Sequence, residues 1–182
     1  MTKARHPAVF LDRDGTLMRD VDYCGSPGNV HVFEGAPAAL RRLKGRGYKL
    51  VVITNQSGIG RGYFTENQYS AVESELGQQL GGVIDATYYC PHLPTANCKC
   101  RKPSAEMVVR AAGEHDLDLT HSFFVGDKPS DLECGRNAGV KTILVRTGYG
   151  ENTDAARADF VADDLAKAAD LILEQKLPPG YL

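Results

Sequence analysis

Between Ala8 and Leu11 four apolar residues run without a break, and the chain turns polar at once with Asp12. A run that short and uniformly apolar suits a strand buried on both faces, as in a parallel sheet, and is too short for a helix. Asp14 follows one residue after Asp12, and Gly15 breaks the run. Open α/β sheets hold their ligands beyond the carboxyl ends of their strands, so this pair of carboxylates stands where chemistry is done. One can attack a phosphorus atom while its neighbour handles the proton. A divalent cation would offset the repulsion between such a pair and a phosphate dianion.

The pattern recurs along the chain. Residues 49–54 (K-L-V-V-I-T), 83–89, 122–126 and 141–146 read as further strands, with a short edge strand over 159–162. Helices are expected over 34–46, 104–115, 130–137 and 163–176, the last followed by a Pro-Pro-Gly tail. Another is expected to run from an N-cap at Thr65, with Gln68 in the capping-box position, to about Leu80. Residues 13–33 form a polar, glycine-broken loop with a short hairpin, and 55–62 (N-Q-S-G-I-G-R-G) a glycine-rich loop. Strands alternating with helices predict a three-layer αβα sandwich around a Rossmann-like parallel sheet. With 182 residues, one domain over 1–182 is expected, with no large cap.

Charged residues make up 24% of the chain and the formal net charge is −2, a balance that suggests neither a nucleic-acid nor a membrane partner. No apolar stretch long enough for a secretory h-region follows the basic N-terminus, so no signal peptide is visible and a cytoplasmic location is expected. The five cysteines are an odd number, which argues against a disulfide framework. Cys90, His92, Cys98 and Cys100, paired as C-x-H and C-x-C, suit a closed tetrahedral Zn²⁺ site in a loop over 90–103. Four protein ligands leave no open position, so such a zinc is structural, and it would fix Arg101 and Lys102, the next two residues.

Thr54 ends the second strand, and its hydroxyl and the N–H groups of residues 55–60 can donate to a phosphate. Asp127 and Asp131 stand four apart in G-D-K-P-S-D, the second at the start of a helix. The ordered series D-x-D-G-T, V-V-I-T, R-K-P and G-D-x-x-x-D resembles the motifs of the haloacid dehalogenase (HAD) superfamily of phosphatases. The resemblance implies Asp12 as nucleophile and Asp14 as general acid, then base. It implies Mg²⁺ held by Asp12, the Asp14 main-chain carbonyl and Asp127, with Asp131 behind them, and Thr54 and Lys102 on the transferring phosphoryl group.

The cysteine loop, with N-Q-S-G-I-G-R-G and C-R-K-P, is similar to that of the D-glycero-D-manno-heptose-1,7-bisphosphate 7-phosphatases, which serve assembly of nucleotide-activated heptose. That resemblance implies a sugar site lined by Asp20, Val21, Asp22, Tyr23, Asn55, Gln56 and Ser57, with Arg101 and Lys128 on the distal part of a small-molecule sugar bisphosphate. A monomer is expected. Met18 departs from an Asn frequent in the family and is expected near the sugar site. Histidinol-phosphate phosphatases share a similar zinc loop, and Asp20 and Asp22 could face a cationic substrate. An inactive, zinc-stabilised binding module is the alternative outside enzymes. Glu73 and Glu75 read as a solvated helix face, Cys24 as a loop thiol and Cys134 as core.

Overall fold

Six strands, β1 (His6–Leu11), β2 (Lys49–Asn55), β3 (Ala86–Cys90), β4 (Leu117–Gly126), β5 (Lys141–Val145) and β6 (Phe160–Ala162), form one sheet in the order β3-β2-β1-β4-β5-β6. This computed structural model describes residues 5–177. Every strand pair is parallel. The chain winds outward from β1 to β3, returns to the other side of β1 and winds outward again. The reversal between β1 and β4 is the switch point at which doubly wound sheets open a crevice.

Alternate residues of each strand face opposite layers. Val9, Leu11, Leu50, Val52, Phe123 and Val125 join the larger core, packed by Leu40 of α1 (Ala36–Gly45) and by Val72 of α3 (Glu66–Gln79), the helix that follows the single turn α2 (Ser57–Gly60). Ala8, Phe10, Val51, Ile53 and Phe124 face the smaller core, with Val108 and Ala111 of α4 (Glu106–Glu114) and Cys134 of α5 (Pro129–Ala138). Ile172 of α6 (Leu165–Glu174) completes the first layer. The expected αβα sandwich is therefore present. Among the described residues no helix is long and apolar enough to cross a membrane.

Element ends depart from expectation for local reasons. β4 starts at Leu117 rather than Ser122, because the stretch Asp118–His121, apolar only at Leu119, carries no strand pattern. Its partner register on β1 jumps between Pro7 and Val9, where Ser122 Oγ accepts from the Ala8 N–H at 2.8 Å. β3 starts at Ala86, since Gly81 and Gly82 take positive φ and Asp85 turns its carboxylate to the Leu50 N–H at 2.8 Å. α3 begins as expected, Thr65 Oγ1 accepting from Gln68 N and Gln68 Oε1 from Thr65 N. The loop after β1 holds only isolated bridges, Asp14 to Met18 and Met18 to Val32, in place of a full hairpin. Met18 itself is fully buried in the larger core, with no surface left to meet a substrate. The Pro-Pro-Gly tail lies outside the described residues.

Candidate active site

Strand ends deliver the polar groups to the switch point. Asp12 follows β1, Thr54 is the penultimate residue of β2, Asp127 follows β4, and Asp131 lies in the first turn of α5. All four are buried, as is Lys102 from the loop before α4. Lys102 Nζ lies 2.7 Å from Asp12 Oδ1 and 2.7 Å from Asp131 Oδ1, and donates to the Ile53 carbonyl at 2.8 Å. The contacts to Asp12 and Ile53 are hydrogen bonds, while that to Asp131 is an ion pair. Burial opposes the charge on Lys102, but Asp12 and Asp131 outweigh it and keep the amine protonated. Burial likewise opposes the charge on Asp12, yet Lys102 and then Lys128 hold it below the usual carboxylate range. Asp127 goes the other way, pushed up to about 8 by burial and by the charges of Asp12 and Asp131.

One carboxylate oxygen from each of Asp12, Asp127 and Asp131 lies within 4.8 Å of the other two. Asp127 Oδ1 is buried with no hydrogen-bond partner, while Oδ2 accepts from Tyr149 N at 2.8 Å. A partnerless buried carboxylate oxygen among three acids fits a hard divalent cation that takes oxygen ligands. Gly15 permits this approach. Its φ is +93°, and a Cβ there would fall 2.2 Å from Asp127 Oδ2. Asp131, expected behind the metal ligands, stands within the acid cluster.

The Asp14 carboxylate is turned away from those acids. Arg13 donates to it from Nε at 3.0 Å and from Nη2 at 3.1 Å, and Gln56 Nε2 adds a third bond at 2.9 Å. Gln56 also donates to Thr54 Oγ1 at 2.8 Å, which leaves the Thr54 hydroxyl proton free for another acceptor. A cavity of about 250 Å³ opens here, lined by Asp14, Asp20, Asp22, Tyr23, Asn55, Gln56, Ser57, Arg101 and Lys128 among others. Lys128 Nζ pairs with Asp20 Oδ2 at 3.0 Å and sits 4.7 Å from the centre of the Tyr149 ring.

Two expectations for this region change. Val21 packs against the larger core and does not line the cavity. Among the N–H groups expected to face a phosphate, those of Gln56, Ile59 and Gly60 already have backbone partners: Gln56 donates to Cys90 O at 2.7 Å, Ile59 to Gln56 O and Gly60 to Pro91 O at 2.9 Å. The first and last bond this loop to the cysteine loop. Gly60 is needed there, because a Cβ would meet the Pro91 carbonyl at 2.7 Å. Cys24 is buried and lines the cavity, while Cys134 is buried in the core as expected. Residues that sequence reasoning missed are Arg13 and Tyr149; the only signal for Arg13 was its place between the two aspartates.

Cys90, His92, Cys98 and Cys100 converge as their spacing suggested. Cys90 Sγ is 3.5 Å from Cys98 Sγ and 3.2 Å from Cys100 Sγ, and His92 Nδ1 is 3.6 Å from Cys90 Sγ and 3.3 Å from Cys100 Sγ. A tetrahedron with zinc–sulfur bonds of about 2.3 Å has edges of about 3.8 Å, so the donor set needs only slight expansion to hold such an ion. Burial, then hydrogen bonding from Cys100, pushes the Cys90 thiol up to about 12 without a metal.

A doubly wound sheet whose switch point gathers buried acids around one lysine is the architecture of the HAD class of hydrolases, and a family model described as HAD-hydrolase-like matches residues 99–168. A D-glycero-beta-D-manno-heptose-1,7-bisphosphate 7-phosphatase of Haemophilus ducreyi is 43% identical, aligned over 87% of this chain and 93% of the relative. A relative of the same name from Escherichia coli K12 is 39% identical over 94% and 96%. The crystal structure of D,D-heptose 1,7-bisphosphate phosphatase from B. bronchiseptica, complexed with magnesium and phosphate, matches with a TM-score of 0.86 and 34% identity, over 93% of this chain and 99% of that one. The chain belongs to the D-glycero-D-manno-heptose-1,7-bisphosphate 7-phosphatase family.

Proposed function

We propose that this chain removes the 7-phosphate of D-glycero-D-manno-heptose 1,7-bisphosphate through an aspartyl-phosphate on Asp12, on the route to nucleotide-activated heptose. The observation that carries this reading is the division between the two aspartates of one turn. Asp12 is buried and held ionised by Lys102, whereas Asp14 lines the cavity where a leaving group would sit. An Asp12 oxygen attacks phosphorus, the bond from phosphorus to the sugar oxygen breaks, and Asp14 gives that oxygen its proton. Asp14, now a carboxylate, takes a proton from water as the water attacks the aspartyl-phosphate, freeing Asp12 and inorganic phosphate. Thr54 donates its hydroxyl proton to a phosphoryl oxygen, and Lys102 exchanges one of its three contacts to do the same. Magnesium on Asp12, the Asp14 carbonyl and Asp127 would neutralise phosphoryl charge.

Arg101 and Lys128 line the same cavity and suit the remote 1-phosphate, with Asn55, Ser57, Asp22 and Tyr23 around the sugar. Of the two acids that a cationic amine such as histidinol phosphate would want, Asp20 is already paired with Lys128, which leaves Asp22. No observation favours an inactive binding module. Zinc on the three cysteines and His92 is assigned as structural. The reading covers one domain over 1–182, acting as a monomer in the cytoplasm, where cysteines that form no disulfide suit the reducing conditions.

Phosphorus NMR of the products tests it. The β-heptose bisphosphate should yield inorganic phosphate and the 1-phosphate. Hydrolysis at position 1 that leaves the 7-phosphate, or faster turnover of histidinol phosphate, overturns the substrate assignment.

A further inference from the structure

Arg13 is fully buried beside the reaction site, and the mechanism above makes no use of it. A charged side chain with no water needs partners on every side. Arg13 has Asp14 on Nε and Nη2, Gln56 Oε1 on Nη2 at 3.0 Å, and Glu73 Oε1 on Nη1 at 2.9 Å. Its guanidinium carbon also lies 5.6 Å from the centre of the Tyr69 ring. Glu73 and Tyr69 both belong to α3, one helical turn apart, so a single helix face grips the guanidinium from the side opposite Asp14. Burial, then Asp14 and Glu73, act on Arg13, and the two acids outweigh the burial and keep it charged. Glu73 is therefore no solvated residue; its side chain is only 17% exposed.

We infer that Glu73 is a positioning residue, which fixes Arg13 so that the guanidinium fork presents the Asp14 carboxyl to the leaving group in one orientation. A planar fork held by two of its nitrogens on Asp14 transmits its own angle to that carboxyl. Without Glu73, only Gln56 holds the fork besides Asp14, and the guanidinium can tilt with the carboxyl attached. The inference rests on the reading of Asp14 as general acid, and the test keeps the two separable.

General acid catalysis matters most for a poor leaving group. The magnesium-loaded enzyme and its Glu73→Ala, Glu73→Gln and Asp14→Asn variants are compared on phenyl phosphate and p-nitrophenyl phosphate, whose leaving groups differ in acidity but little in shape. The readout is the ratio of the two kcat/KM values. That ratio is independent of how much protein is folded and reports the step in which the leaving group departs. Glu73→Ala should lower the phenyl phosphate value roughly tenfold more than the p-nitrophenyl phosphate value. Glu73→Gln, which keeps an oxygen for Arg13, should restore most of the ratio. Asp14→Asn should show the same bias in stronger form. An unchanged ratio in Glu73→Ala alongside a shifted one in Asp14→Asn overturns the role of Glu73 alone. An unchanged ratio in Asp14→Asn removes the acid assignment and the inference with it.

Discussion

Asp12 and Asp14 share one turn yet have opposite surroundings, and each is the test of its own assignment. Asn in place of Asp12 keeps the shape and the Lys102 contact but cannot form an acyl phosphate. Steady-state assay of Asp12→Asn should show a loss of roughly 10⁴-fold or more in kcat, with the circular dichroism spectrum unchanged. Near-normal turnover would rule out the aspartyl-phosphate. Lys128 reaches Asp12 only through its charge, and the proposal places it on the distal phosphate. Lys128→Ala should therefore raise KM for the heptose bisphosphate by about tenfold or more, and cost an aryl phosphate much less, because the lost contact is remote. Equal effects on both substrates would remove Lys128 from the distal phosphate.

Among elements, the cysteine loop holds the site together most directly. It begins at the last residue of β3, its backbone accepts from Gln56 and Gly60 of the glycine-rich turn, and Lys102 follows its last cysteine by two residues. The Asn55 side chain adds a reciprocal clasp on Lys102, accepting from its N–H at 3.0 Å and donating to its carbonyl at 3.2 Å. Loss of one thiolate should therefore act at a distance. Cys98→Ser should bring bound zinc well below one per chain and lower kcat by roughly tenfold or more through misplaced Lys102, with no rescue by added magnesium. Elemental analysis beside the assay decides it. Native protein purified without chelator that holds no zinc yet turns over normally would show that the cluster is not a zinc site.

At the scale of the whole molecule, the crevice concentrates buried acids that the fold tolerates only when they are compensated. Asp127 has its folded pKa pushed up to about 8, from 3.8 in its ordinary state. Its contribution to stability is then full below about pH 4 and drains away as pH rises towards 8. A cation on the Asp127 carboxylate reverses that loss, and below pH 8 it must first displace the proton. Magnesium should thus raise Tm more at about pH 8.5 than at about pH 6, by roughly 3 °C for each kcal/mol of added affinity. Thermal melts with and without magnesium at the two pH values measure this. A larger shift at the lower pH would contradict it.

Short-range chemistry was legible from the chain alone. Apolar runs ending on Asp12, Thr54 and Asp127 announced parallel strands with groups at their carboxyl ends, and C-x-H with C-x-C announced a four-donor cluster, because each pattern lies within a few residues. The capping box at Thr65 and Gln68 was equally plain. Where side chains point after a turn was not legible. Val21 and Met18 sit beside site residues in sequence but face the core, since the loop after β1 packs its apolar side chains into the larger cluster. Asp131 enters the acid cluster because α5 starts at Pro129 and turns it back over Gly126, whose missing Cβ leaves the room. Glu73 looked like any charge on a helix surface. Only the packing of α3 against the end of β1, sixty residues away, brings it to Arg13, and a contact of that range is decided by the fold and by no local pattern.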